Sequence, residues 1–409
     1  MKWLLLLVPF LFPPEARPLA QTTPIPASDQ AKVVEGNNAF AVDLYGQLRK
    51  QDGNLFFSPV GVSTALAMTY AGARGDTASE IAKTLHFTLP PDRLHPAMGA
   101  LLTEFNGTHA TGQLRVANAL WEQQNYGVLE DFLKLNKARY GTSFFRVNFN
   151  GADEAARSTI NRWAERETEG KIKDLIQPGA FDSDTRLLLT DAIYFKSDWQ
   201  TQFKETETTD DEFHLSPLRR VTTPMMHESG GFNYLKGDAF RALEIPYQGS
   251  DASLIVFLPD EYNGLLDFER SLNGSSVNEW LSRLRPVPKV VLALPKFKVN
   301  QKFELQETLA GMGMPGAFER GVADFSGISG DHKLFVAGMI QKTYVEVDEE
   351  GTEASAAFAG FGVAGMMWLG GRPEPPPIYF TVDHPFIFLI RDNRSGSILF
   401  MGRVIDPTK

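Results

Sequence analysis

The stretch from Val345 to Ala357 reads Val-Glu-Val-Asp-Glu-Glu-Gly-Thr-Glu-Ala-Ser-Ala-Ala and constrains the fold more than any other part of the chain. Val345 and Val347 alternate with Glu346 and Asp348, the period of a β-strand. The run ends in acids and Gly351-Thr352, then passes into small residues. Thr352, Ala354 and Ala356 form one alternating set, and all three are compact. A strand that slides into an already packed sheet must bury every second side chain against existing neighbours, so compact residues are what it requires. The same residues also read as a strand followed by an Ala-rich loop. About thirty residues on, Asp383-His384-Pro385-Phe386-Ile387-Phe388-Leu389-Ile390-Arg391 contains a short apolar run, read as a buried strand.

The 409 residues are 43% apolar, enough for a large core. No Pro/Gly/Ser-rich linker divides the middle, so residues 30–409 are expected to form one domain. Lys2, the apolar run Trp3 to Phe12 and Leu19-Ala20 give residues 1–20 the form of a secretory signal, which predicts a secreted protein. Residues 21–29, polar and Pro-rich, read as a disordered lead-in. The chain has no cysteine, so catalytic thiols and Cys-ligated metals are excluded and the core alone must hold the fold. A net charge of −10 argues against nucleic acid or an anionic membrane as partner. The seven histidines show no metal-ligand spacing, and no cofactor or metal is expected.

Phe40, Leu44 and Leu48 fall on one helix face, with Asp52-Gly53 as the stop. Ser58-Pro59 is an N-cap followed by Pro at the first helical position, for a helix running to about Ala73. Thr77-Ala78-Ser79-Glu80 has capping-box spacing for the next one. Ile160 and Trp163 share a face of a helix from about Ala152 to Gly170. Leu187 to Phe195, Leu254 to Leu258, Val290 to Leu294 and Phe386 to Ile390 read as buried strands. Strands and helices alternate irregularly, which makes the class α+β. Two G-x-G-x-x-G matches, Gly360 to Gly365 and Gly311 to Gly316, lack the strand before and the helix after that a dinucleotide site needs. The nearest approach to a G-x-S-x-G elbow, Gly61 to Ala65, falls inside a predicted helix, which argues against a hydrolase.

Other stretches add to the Val345–Ala357 and Asp383–Arg391 segments. Asn54-Leu55-Phe56-Phe57-Ser58-Pro59-Val60, Gly72-Ala73-Arg74-Gly75-Asp76-Thr77, Ala192-Ile193-Tyr194-Phe195-Lys196 with Trp199, Pro224-Met225-Met226, Leu294-Pro295-Lys296-Phe297, Ala323-Asp324-Phe325-Ser326-Gly327-Ile328 and Leu399-Phe400-Met401-Gly402-Arg403-Val404 occur in order. Together, from about Gln30 to Pro407, they resemble the serpin family. The resemblance implies three β-sheets, about nine helices and an exposed reactive-centre loop from roughly Gly351 to Pro377. It also implies a metastable suicide inhibitor of a serine protease, monomeric and with no catalytic residues of its own, that forms a covalent complex.

Carried onto this chain, the family's hinge is Glu349, Gly351, Thr352, Glu353, Ala354, Ser355, Ala356 and Ala357. The region where the loop leaves the sheet, the breach, is Trp199, Lys296 and Glu349, with Lys296 and Glu349 expected to pair. Counting from Glu349 puts the reactive bond at Gly365–Met366, with Ala364 and Met367 as alternatives, which suits an elastase- or chymotrypsin-like target. Phe358 is bulky for an inserting position. Leu94 to Thr108, where many relatives carry a basic helix, has no Lys or Arg, so no heparin-type cofactor is expected. The family's polar shutter beneath the parting strands is altered: Ser58 is kept, but Asp191 stands for an asparagine, Gln341 for a histidine and Gly61 for a second serine. Asp191 and Gln341 are expected to touch. The alternatives are a non-inhibitory carrier or chaperone of the same fold, or a secreted hydrolase.

Overall fold

A computed structural model describes residues 25–107, 112–181, 185–352 and 376–409. Among them lie fifteen strands: β1 (Leu55–Phe57), β2 (Gly112–Gln123), β3 (Ser143–Val147), β4 (Leu187–Asp198), β5 (Thr209–Ser216), β6 (Arg219–Lys236), β7 (Phe240–Pro246), β8 (Ala252–Pro259), β9 (Arg285–Pro295), β10 (Phe297–Glu304), β11 (Met339–Val347), β12 (Gly351–Thr352), β13 (Ile378–Thr381), β14 (Phe386–Asp392) and β15 (Ile398–Val404). The helices are α1 (Ala27–Leu48), α2 (Pro59–Tyr70), α3 (Gly75–Thr84), α4 (Pro91–Phe105), α5 (Glu130–Tyr140), α6 (Asp153–Glu167), α7 (Leu265–Ser271), α8 (Gly274–Arg283), α9 (Gln306–Met312) and the single turn α10 (Ser326–Ser329).

A six-stranded sheet runs β10-β11-β12-β4-β2-β3. A nine-stranded sheet runs β1-β15-β14-β8-β7-β6-β9-β13, with β5 on β6. The α+β class is as expected. The three expected sheets are two by hydrogen bonding, because the 18-residue β6 pairs with β5 and β9 and, over Asn233–Lys236, with β7. One long strand thus fuses what would otherwise be two sheets.

Nearly every residue of β4 is buried, the signature of a central strand covered on both faces. One face packs Leu188 and Ala192 with Trp121, Ile160 and Trp163, the last two from α6. The other face meets α2, in which all residues from Pro59 to Thr69 are buried. Such a helix must lie inside the core. Its start follows the sequence logic: the Ser58 hydroxyl accepts from the Gly61 amide at 3.1 Å, and Pro59 occupies the first turn.

Two expectations about local structure fail. Thr77 does not cap α3, which starts at Gly75; its hydroxyl instead accepts from the Asp324 amide at 2.9 Å, a tertiary bond that no local spacing reports. The lead-in expected to be disordered to residue 29 is helical from Ala27, because Asp29 in the first turn is buried and held by the Arg93 guanidinium of α4. The Gly311–Gly316 pattern falls at the end of α9 rather than at a helix start, and Gly61 to Ala65 lies within α2.

Candidate functional site

The site begins where β11 turns back on itself. Asp348 Oδ1 accepts from the amides of Glu350 and Gly351 at 3.1 and 3.2 Å, and the Asp348 amide donates to the Gly351 carbonyl at 3.0 Å. An Asp side chain closing a turn on its own following amides is local chemistry that the Asp-x-x-Gly spacing carries. The turn delivers β12 into the sheet between β11 and β4, antiparallel to both: Thr352 pairs with Val347 on one side and with Ser197 on the other. The expected loop therefore does not begin exposed at Gly351. Gly351 and Thr352 are buried, because the ladder on each side satisfies their backbone.

Only glycine fits at position 351. A Cβ there would stand 2.2 Å from the Ser197 carbonyl oxygen. Thr352 is 1% exposed, and its hydroxyl lies 2.6 Å from the Tyr247 hydroxyl. Tyr247 in turn stacks on Trp199, ring centroids 4.7 Å apart. Trp199 Nε1 donates to the Asp348 carbonyl at 2.8 Å, and its amide donates to the Glu350 carbonyl at 2.9 Å. Trp199 thus binds the turn from beneath. Lys296 Nζ is 2.6 Å from Glu349 Oε2, and the Thr208 hydroxyl donates to Oε1 at 2.8 Å. Burial pushes the Glu349 carboxyl up, but bonds from Lys296, its own backbone and Thr208 outweigh it and hold the group below its ordinary range.

Below β12 the two flanking strands close directly on each other. β11 and β4 run parallel, in register from Thr343↔Ile193 to Met339↔Leu189. The third rung is Gln341↔Asp191, and both side chains are fully buried. Gln341 Nε2 donates to Asp191 Oδ2 at 2.5 Å and to the Ser58 carbonyl at 2.9 Å, while Gln341 Oε1 accepts from the Ser58 amide at 3.1 Å. The Ser58 hydroxyl donates to the Leu399 carbonyl at 2.8 Å. The Asp191 carboxylate fills the space over Gly61, where an added Cβ would lie 2.0 Å from Oδ2. A serine could not stand there beside this aspartate, so the Gly61 and Asp191 departures are one substitution in two parts. Burial pushes the Asp191 carboxyl up to about 7, against a smaller downward pull from the Gln341 bond.

Glu349, Thr352, Lys296 and Trp199 therefore meet at one end of the six-stranded sheet, and Ser58, Asp191 and Gln341 meet lower down between its strands. Glu353, Ala354, Ser355, Ala356, Ala357, Ala364, Gly365, Met366 and Met367 lie outside the described residues. Tyr247, Thr208 and Asp348 belong to the site and were not singled out from sequence. Only Asp348 carries a local signal; the other two arrive through the fold. No cluster of potential metal ligands occurs among the described residues.

The site is thus one short strand, β12, wedged between β11 and β4 at one end of a sheet in which those two strands otherwise pair directly. The family model for Serpin (serine protease inhibitor) matches residues 35–407. A leukocyte elastase inhibitor of Xenopus laevis is 41% identical over 377 residues, covering 90% of this chain and 97% of its own. Human serpin B3 is 38% identical over 91% of this chain and 99% of its own. Among solved structures, human thyroxine-binding globulin superposes with a TM-score of 0.82 at 29% identity, covering 93% of this chain and 100% of its own. The chain belongs to the serpin family; it is a protease inhibitor and not an enzyme. One expectation does not stand. Secretion, read from residues 1–20, is contradicted by relatives such as leukocyte elastase inhibitor and serpin B3, which are intracellular serpins. Residues 1–20 themselves lie outside the described residues.

Proposed function

We propose that this serpin is a suicide inhibitor of an elastase- or chymotrypsin-like serine protease, acting as a monomer and without a heparin-type cofactor. The protease serine attacks the Gly365 carbonyl and expels the Met366 amine, leaving an ester to Gly365. The freed segment beyond Thr352, as far as Gly365, then follows Thr352 into the six-stranded sheet between β11 and β4, the whole strand from Thr352 to Gly365 spanning roughly 45 Å at the strand rise. Trp199, Lys296 and Glu349 hold the opening end, Ser58, Asp191 and Gln341 lock the strands below it, and Glu349 to Ala357 form the hinge. The observation that carries this reading is Thr352, which is buried between both neighbours and antiparallel to each. The residues that would follow it, Glu353 to Ala357, are small on the inward parity. The elastase-like target is supported by relatives named for that inhibition, and by a window from Ala364 to Leu369 without Lys or Arg.

Incubation with elastase, chymotrypsin and trypsin tests this. An SDS-stable complex is expected with one of the first two, with a released peptide that starts at Met366 by mass. A complex with trypsin cut after Arg372, or steady cleavage with no complex at all, would overturn the assignment.

A further inference from the structure

We propose that Asp191 is a proton-controlled gate on the parting of β4 from β11: protonated, it keeps the strands together; ionised, it favours their separation. This rests on the loop-insertion reading above and adds a control to it. The geometry is that of a carboxyl group with nowhere to put a charge. Asp191 is fully buried, Oδ2 has one donor, Gln341, and Oδ1 is buried with no partner. On the neighbouring strand Asn118 stands opposite it in the ladder, and Asn118 Oδ1 is likewise buried and without a partner. Residues opposed in this way hold their Cβ atoms ~5 Å apart on one face. Asp191 Oδ1 thus has no donor to meet a negative charge, and a proton on the carboxyl removes the charge that would need one.

The surroundings offer no charge that could replace that proton. α2 presents Ser58 and Gly61 to the carboxyl and has no charged side chain. β2 presents Asn118, with Val116 and Leu120 on either side; Glu122, farther along the same face, is paired with Arg146 at 3.1 Å. β11 presents Gln341 between Met339 and Thr343, and its Lys342 points away to the Lys173 carbonyl. On β10, Phe303 is opposite Gln341, and Lys302 and Glu304 pair with each other at 2.9 Å. The β15 contribution is the Leu399 carbonyl, already taken by Ser58. None of α2, β2, β4, β10, β11 and β15 contains a histidine.

The sign follows from burial. The carboxyl ordinarily titrates near 3.8 and here is pushed up to about 7 by desolvation, so the closed sheet binds the proton more tightly than an opened, wetted one. The closed form is favoured most at low pH. It loses that advantage as pH rises from the ordinary aspartate range through about 7, and nothing further changes above that. A gap of about three pKa units caps the effect at roughly a thousandfold; a transition state only partly open should show about tenfold.

Conversion of the intact protein to inserted or polymeric forms on mild heating, followed by native gels, reads the gate. The wild-type rate is expected to rise about tenfold from pH 5 to pH 8, and Asp191→Asn is expected to be level. A level wild type, or an equal slope in Asp191→Asn, overturns the gate. Should the variant not fold, infrared titration of the wild type decides: a protonated buried carboxyl band that disappears near neutral pH supports the gate, and its absence at mildly acid pH sinks it. The two readings separate cleanly. No protease complex at any pH, with pH-dependent conversion intact, removes the inhibitory function and leaves the gate. A complex with pH-independent conversion does the reverse.

Discussion

Nicking the loop anywhere from Ala364 to Leu369 with a non-target protease will raise the melting temperature by at least about 10 °C. The reason lies in the sheet. β4 and β11 meet over a short parallel ladder, and a strand between them would replace it with two antiparallel ladders, the more stable pairing. An insertion that traps a protease must be effectively irreversible, so its gain should be comparable to the stability of a whole domain, ~10 kcal/mol. Unfolding entropy near 2 cal/mol/K per residue means that for about 400 residues each kcal/mol moves the midpoint by roughly 1.2 °C. Intact and nicked protein compared by calorimetry settle the matter. An identical melting curve would favour the carrier reading, since a loop that cannot enter the sheet leaves no stability to be gained.

Glu349→Lys is expected to turn a monomer into loop-sheet polymers on mild heating. The carboxylate side chain is 8% exposed and bonded to Lys296 and Thr208, so reversal sets two ammonium groups against each other at the root of the hinge. Breaking a buried pair costs 3–5 kcal/mol; Lys296 is 38% exposed, which screens it and reduces this to about 1–3 kcal/mol. The loss falls on the turn that holds β12 in place, hence on the opening of the sheet. Restoring opposite charge with Lys296→Glu in the same chain should recover the monomer. Acid should imitate the substitution: the Glu349 value is lowered, so the pair stabilises fully above the ordinary 4.5 and weakens as pH falls through the lowered value. A Glu349→Lys protein that stays monomeric on heating would remove the pair from the mechanism.

Much of this architecture could be read from the chain because its strongest signals are local. An alternating run, a serine before a proline and continuous apolar strands each specify their own structure. The Lys296–Glu349 and Asp191–Gln341 contacts were legible too, through the resemblance rather than through spacing, since their partners lie far apart in sequence. What escaped was chemistry assembled only by the fold. Thr77 looks like a cap until the Asp324 amide arrives from the far side of the chain. Tyr247 is unremarkable in Ile245-Pro246-Tyr247 until Trp199 stacks on it and Thr352 bonds to it. The burial of Gly351 and Thr352 was missed for a similar reason, because a strand two residues long has no period to detect.

The register that Thr352 sets also works as a ruler. Each step along an entering strand meets the preceding residue of both neighbours, so six steps past Thr352 the chain reaches Gln341 on one side and Asp191 on the other. The residue six steps on is Phe358, the one large side chain on the inward parity of the hinge. The bulkiest arrival would therefore come at the polar rung, where the Asp191 carboxyl fills the space over Gly61. Entry of the loop would have its checkpoint in mid-sheet rather than at its threshold. Whether a captured protease stays captured would be decided there, in the time it takes one aromatic ring to displace one carboxyl group.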